Sequence, residues 1–431
     1  MPPWLRALRH RNYRLFFVGQ LISLTGTWMQ SVALSWLVYR LSDSATLLGL
    51  VSFASQIPVF ALALIGGATA DRYNRHCILI ATQSLSMVLA FCLASLTLLG
   101  VITIPQVFFF ASLLGMVNAF DIPARQAFVV DMVGRQDLVN AIALNSSIFN
   151  GARVVGPAVA GLLVGLVGEG WCFFFNGVSF VAVIASLLAM RVTRHEAVLL
   201  PGSARARIRE GFTYVGRTPP IRALLLQLGV LSLVGMPYVV LMPVFADDIL
   251  QGGASGLGLL MGASGVGALA GALALATRKS VRGLGRWVAR SSIGFGIALI
   301  AFSFSRSFWL SAAILVPMGF CMITAMAASN TLIQSMVPDH LRGRIMSLYS
   351  MMFMGMAPFG ALWAGIAAGR WGAPATVALG GLACIVAAGI FGSRLSSLRV
   401  QTRELILAQQ AAGGEPPQAT TGQTSALVNV R

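Results

Sequence analysis

Asp71-Arg-Tyr-Asn-Arg-His76 stands between two long apolar runs, Thr46–Ala70 before it and Cys77–Gly100 after it. A connection this short joins neighbouring antiparallel helices, so both helices end at one face. That face must hold several charges in a crowded turn, which costs free energy unless each charge has a use. Gly67, one turn before Asp71, lets the two helices approach closely, and Asn74 suits the left-handed conformation that a tight turn demands. Asp71 can accept hydrogen bonds from a facing helix N-terminus, and Arg72 and Arg75 can reach carboxylates on neighbouring helices. A plain solvated basic turn would need the arginines, but neither the aspartate nor the glycine at fixed spacing. The stretch reads as a gate rather than a catalytic site.

Working outward, the whole chain is built like its two flanking runs. Apolar residues make up 57% of the 431 and charged residues 10%, with a mean hydropathy of +0.81; no soluble domain of this size hides that much apolar surface. Twelve apolar stretches are each long enough for a hydrocarbon core of ~30 Å. They fall near 15–40, 46–70, 77–100, 105–125, 140–167, 170–191, 221–247, 255–277, 287–304, 307–330, 344–369 and 373–393. The apolar run after Arg6, Arg9, Arg11 and Arg14 is too long for a signal peptide and has no cleavage signal, so a retained first span is expected.

The net charge of +17 invites a nucleic-acid reading, but its distribution argues against one. Of the 30 Lys+Arg residues, only Arg40, Arg306 and Arg370 fall in odd-numbered connections and only Arg153 within a span. The rest lie in the N-terminal arm, the even-numbered connections and the tail. This is the positive-inside asymmetry, which predicts cytoplasmic termini and attraction to anionic membrane lipids. The five cysteines sit singly, without metal-ligand spacing.

The longest polar interruption, Arg191–Pro220, divides the spans six and six. The parts echo each other: 131–138 resembles 335–341, and each leads into a span with a Gly156-Pro157 or Ala357-Pro358 element. The expectation is an all-α membrane protein of twelve transmembrane helices in two pseudo-symmetric six-helix bundles. Their bounds are 1–191 and 221–395, joined by a cytoplasmic linker at 192–220. Residues 396–431, rich in Gln, Ala, Gly, Thr and Pro toward the end, are expected to form a disordered cytoplasmic tail. Repeats of this kind mark secondary transporters with a midplane site.

The knot, as Gly67-x-x-x-Asp71-Arg72-x-Asn74-Arg75, resembles the loop 2–3 signature of the major facilitator superfamily, departing from it at Asn74 and at the shortened Arg75-His76. That resemblance implies that Asp71 faces the start of the eleventh helix, around Arg344–Ser347, and that a loop arginine pairs with an acid at the inner end of helix 4, for which Asp121 is the candidate. Asp71, Arg72, Arg75 and Asp121 would then form a cytoplasmic latch holding an outward-open state. A second stretch, Arg153-Val-Val-Gly156-Pro157-Ala-Val-Ala-Gly161, is similar to the signature of the superfamily's exporter branch. Asp121-Ile-Pro-Ala-Arg125 and Leu341-Arg-Gly-Arg-Ile narrow the resemblance to the bacterial subgroup of the enterobactin exporter and macrolide-efflux proteins.

Arg153 shares a helix face with Ser146 and Asn150. An intramembrane arginine faces protein or water rather than lipid; it either attracts an anionic substrate or forms a structural tie to Asp121 or to backbone carbonyls. In the first span Gln20, Ser23, Thr27, Gln30 and Ser31 recur at helical spacing, either as interhelical hydrogen-bonding groups or as a cavity lining; the resemblance favours the cavity. Asn150 and Tyr238 join them as cavity candidates, with Trp28, Gln56, Asn118 and Trp363 weaker.

No phosphate-binding glycine loop, redox centre or metal motif is present, so neither an enzyme nor a cofactor is expected. The expected partners are a small-molecule substrate, protons and membrane lipids, without nucleic acid. The expected role is a monomeric bacterial inner-membrane exporter, exchanging a small amphipathic compound (a drug, a macrolide-like compound or a siderophore) for protons. An importer, or a non-transporting sensor or assembly factor of the same fold, are the alternatives.

Overall fold

A computed structural model describes residues 3–191, 204–278 and 280–411. It is all-helical among those residues, with twelve helices long and apolar enough to cross a membrane. These are α1 Arg11–Ser42, α2 Ala45–Arg72, α3 Arg75–Leu98, α4 Ile104–Gly134, α5 Gln136–Val167, α6 Glu169–Leu188, α7 Pro219–Ile249, α8 Gly253–Ala276, α9 Leu284–Phe304, α10 Phe308–Met336, α11 Leu341–Trp371 and α12 Ala373–Ser393. Each coincides with one of the apolar stretches. Large apolar side chains on the outside, among them Leu64, Leu166, Phe304 and Trp309, are exposed, as a lipid-facing surface requires.

Local chemistry sets the breaks. The left-handed turn after α1 is made by Asp43 at φ 46°, and Ser44 caps α2. In the knot Asn74 is not left-handed: its φ is −63°, and its side chain accepts from the backbone N–H groups of His76 and Cys77. Capping the orphan donors of α3 is the use an asparagine finds there. Gly134, at φ 69°, separates α4 from α5. Pro237 and Pro243 remove two donors from α7, which accommodates them with irregular turns between Leu231 and Ile249.

Helices α1–α6 pack chiefly among themselves, as do α7–α12. The two sets meet mainly through α2 against α11 and α5 against α8. We call the end carrying the short basic connections the basic face and the other end the opposite face. Toward the opposite face one hydrophobic core, containing Val32, Leu48, Phe173, Phe245, Leu257 and Phe302, runs through both sets. Toward the basic face it forks. One cluster, with Tyr13, Leu79 and Phe128, belongs to the first set; another, with Leu224, Val288, Ile333 and Ile345, belongs to the second.

The tail differs from the expectation, which set no form for the linker. Ala204–Arg217 forms a helix, and Leu395–Ala411 forms another instead of disordered chain. Leu398 is buried in the basic-side cluster of the second set, with Leu405 and Ile406 packed against it, so the tail has an apolar stripe to bury. Residues 192–203 and 412–431 of those two segments lie outside the described residues.

Candidate functional site

In the knot, Asp71 is turned out, its side chain 69% exposed; its one ion contact among the described residues is Arg75 at 3.9 Å. Gly67 faces no atom within 4 Å. The Arg72 guanidinium lies 5.9 Å from the Tyr73 ring. Arg75 donates to both carboxylate oxygens of Asp131 at 3.0 Å and to the Ala70 carbonyl at 3.1 Å.

The partner implied for Arg75 is therefore corrected from Asp121 to Asp131. The apolar run of α4 fades near residue 125, but the helix continues to Gly134 and carries Asp131 to its end beside Arg75. Asp121 lies deeper and is 1% exposed. It accepts from Arg125 one turn along α4, from Thr82 at 2.9 Å and from Gln83 at 2.8 Å. Arg125 in turn donates to Gln20 at 3.0 Å. This network ties α1, α3 and α4 together inside the first set.

The expected docking of Asp71 on the start of α11 is not made. Arg344 pairs instead with Glu210 of the helix Ala204–Arg217, at 2.5 Å. The forked core gives the reason: the two sets are parted at this face.

At the opposite face the sets are fastened. The Tyr39 hydroxyl of α1 donates to Asp248 of α7. Thr46 of α2 donates to the Gly365 carbonyl of α11, and Ser255 of α8 to the Gly161 carbonyl of α5, both at 3.2 Å. Beside them two glycine pairs bring backbones together. A Cβ on Gly49 would lie 2.6 Å from the Ala361 carbonyl and 2.7 Å from the Gly365 Cα; one on Gly258 would lie 2.5 Å from the Pro157 carbonyl and 2.6 Å from the Gly161 Cα. The two crossings match atom type for atom type, each glycine meeting a glycine and the carbonyl four residues before it. Gly156, 2.5 Å by the same measure from the Trp28 Cβ, seats α5 on α1. The α5 motif residues Gly156, Pro157 and Gly161 thus pack helices.

Beneath this closure lies a cavity of ≈260 Å³ between the sets. Ser31, Ser35, Ser52, Ser55 and Gln56 line it from α1 and α2; Val239, Val240 and Met261 face them from α7 and α8. Of the expected cavity residues, Ser31 is there. Gln20 and Gln30 are not: both are buried, Gln20 holding Arg125 and Gln30 accepting from Asn176 at 2.6 Å. Those two point along the side of α1 that packs on its own set. Thr27 donates to the Ser23 carbonyl and Asn150 to the Ser146 carbonyl, each within its own helix. Tyr238 is buried with its hydroxyl 2.9 Å from that of Ser264. Arg153 is partly exposed, over the Trp28 indole at 5.9 Å, and does not reach Asp121. The reading from sequence missed Ser52, Ser55, Asp131 and the Tyr39–Asp248 pair; Ser52, Ser55 and Gln56 recur at helical spacing and were visible there.

The description "transmembrane secretion effector", a family of the major facilitator superfamily, matches residues 3–419. The chain belongs to that family. Relatives of this family member include the staphyloferrin A transporter of Staphylococcus aureus, 26% identical over 90% of this chain and 98% of that one. The multidrug efflux pump Tap of Mycolicibacterium fortuitum is 26% identical over 84% and 90%, and the enterobactin exporter EntS of Shigella boydii 23% over 79% and 81%. Among solved structures, a POT family transporter superposes with a TM-score of 0.71 at 11% identity, over 90% of this chain and 96% of that one. A bacterial homologue of the iron transporter ferroportin gives 0.65 at 17%, over 88% and 98%. The family member described here is a multi-pass small-molecule transporter, not an enzyme.

Proposed function

We propose that this transporter is an exporter of a small amphipathic organic compound, working by alternating access in a bacterial inner membrane with both termini in the cytoplasm. The observation that carries the reading is the core that is single toward the opposite face and forked toward the basic face. Two six-helix bundles, 1–191 and 221–395, rock about their glycine crossings; the matched contacts of those crossings support a pseudo-two-fold relation between them. In the orientation given by the positive-inside rule, the described state is open to the cytoplasm, from which an exporter loads. The Asp71, Arg72 and Arg75 latch belongs to the other state, and the exposure of Asp71 here fits that assignment. The two states differ by a redistribution of charge pairs rather than by a bond made or broken.

The relatives named for siderophore and multidrug transport support a cargo of that size and character. A proton gradient is the energy source we infer, since the chain has no nucleotide-binding motif. Purified protein in proteoliposomes tests both points. Efflux of a siderophore or drug that accelerates when an opposing proton gradient is imposed is the expected result; equal flux with and without the gradient removes the antiport reading, and uptake alone favours an importer.

A further inference from the structure

Arg153 lies midway along α5 with neighbours from both sets: the Trp28 ring of α1 and Gly265 of α8, which packs on the Arg153 carbonyl. A guanidinium at membrane depth needs a counter-charge or water. The inward-lying carboxylates of the first set are all committed elsewhere. Asp121 holds Arg125, Asp131 holds Arg75, Asp137 holds Arg9 and His10, and Glu169 holds Arg40. Among the described residues, Arg153 has neither an ion pair nor a hydrogen bond.

Its place relative to the cavity is also defined. Trp28 precedes Ser31 by three residues on α1, and Gly265 follows Met261 by four on α8. Because α1 and α8 run in opposite directions between the faces, both steps lead one turn toward the basic face. Arg153 therefore lies about one turn from the cavity, on the side of the basic face. Its fork can meet a planar carboxylate with two parallel N–H donors. The indole covers one side of the guanidinium.

Resting on the reading of this site as the cargo route, we propose that Arg153 binds a carboxylate of the transported compound, so that anionic cargo is selected over neutral or cationic cargo. The test is calorimetric binding to the full-length protein in nanodiscs. The probes are citrate and 2,3-dihydroxybenzoate, each against its methyl ester, with tetraphenylphosphonium as the cation. Wild type is expected to bind each acid at least tenfold tighter than its ester. Arg153→Gln should abolish that preference, and Arg153→Lys, which keeps the charge without the fork, should restore part of it. Gel filtration and thermal unfolding establish that each variant is folded. Equal binding of acid and ester by wild type, no binding of either acid, tighter binding of the cation, or unchanged selectivity in Arg153→Gln would each overturn the assignment. Binding does not depend on the direction of transport. Acid selectivity without vesicle efflux would remove the export reading alone; efflux of neutral and cationic drugs with no acid selectivity would remove only this one.

Discussion

Asp121 is the buried acid on which the interior of the first set depends. It is 1% exposed and accepts from Arg125, Thr82 and Gln83. Removing one partner of a buried pair leaves the other charge uncompensated, at a cost of about 3–5 kcal/mol. Asp121→Ala should therefore lower the thermal unfolding midpoint markedly in detergent or nanodiscs, and the double variant Asp121→Ala/Arg125→Met should recover part of the loss. A single variant as stable as wild type would contradict the network. The depth of Asp121 was legible in the sequence, but its partner was misjudged. Arg125, four residues on, was the nearer candidate by helical geometry, and Asp131 was hidden because hydropathy marks where a helix leaves the apolar layer, not where it ends. The left-handed break at Gly134, not the loss of apolar residues, decides that point.

At the level of helices, the spans were legible because each must satisfy its own backbone in lipid, which forces long apolar runs. The tail helix was not, since its stripe of Leu398, Leu405 and Ile406 is short and lies among polar residues. The glycine crossings were visible only as small residues; which glycine meets which is a property of two helices together. Their consequence is testable. A methyl group on Gly258 would meet two backbone atoms of α5 within 2.6 Å, and backbone does not move aside as a side chain does. Gly258→Ala should pry α8 from α5 and raise labelling of Ser31→Cys, in a cysteine-free background, by an impermeant maleimide applied from the opposite face. Gly389→Ala, whose position has no atom within 4 Å, is the control expected to change nothing. Unaltered labelling in Gly258→Ala would mean that the crossing does not hold that end closed.

For the whole molecule, the proposed alternating access needs two states, and a sequence encodes both without ranking them. The residues proposed for the latch could be picked out in the chain, whereas the exposure of Asp71 here could not. Asp71 is exposed in this state and is proposed to be engaged in the other, so Asp71→Asn should shift the population toward the state described. Spin labels at the basic-face ends of α2 and α11 would report that shift as loss of the shorter distance. An unchanged distribution would remove Asp71 from the latch. Arg344 supplies a last consequence. Its pair with Glu210 is half in solvent, with side chains 29% and 53% exposed, and pairs of that kind contribute about 0–1 kcal/mol. The helix Ala204–Arg217 is thus clipped to α11 beside the place where Asp71 is proposed to dock, by a fastening that thermal motion can undo. A joint so weak would let that helix detach and re-attach as the sets move in the proposed cycle.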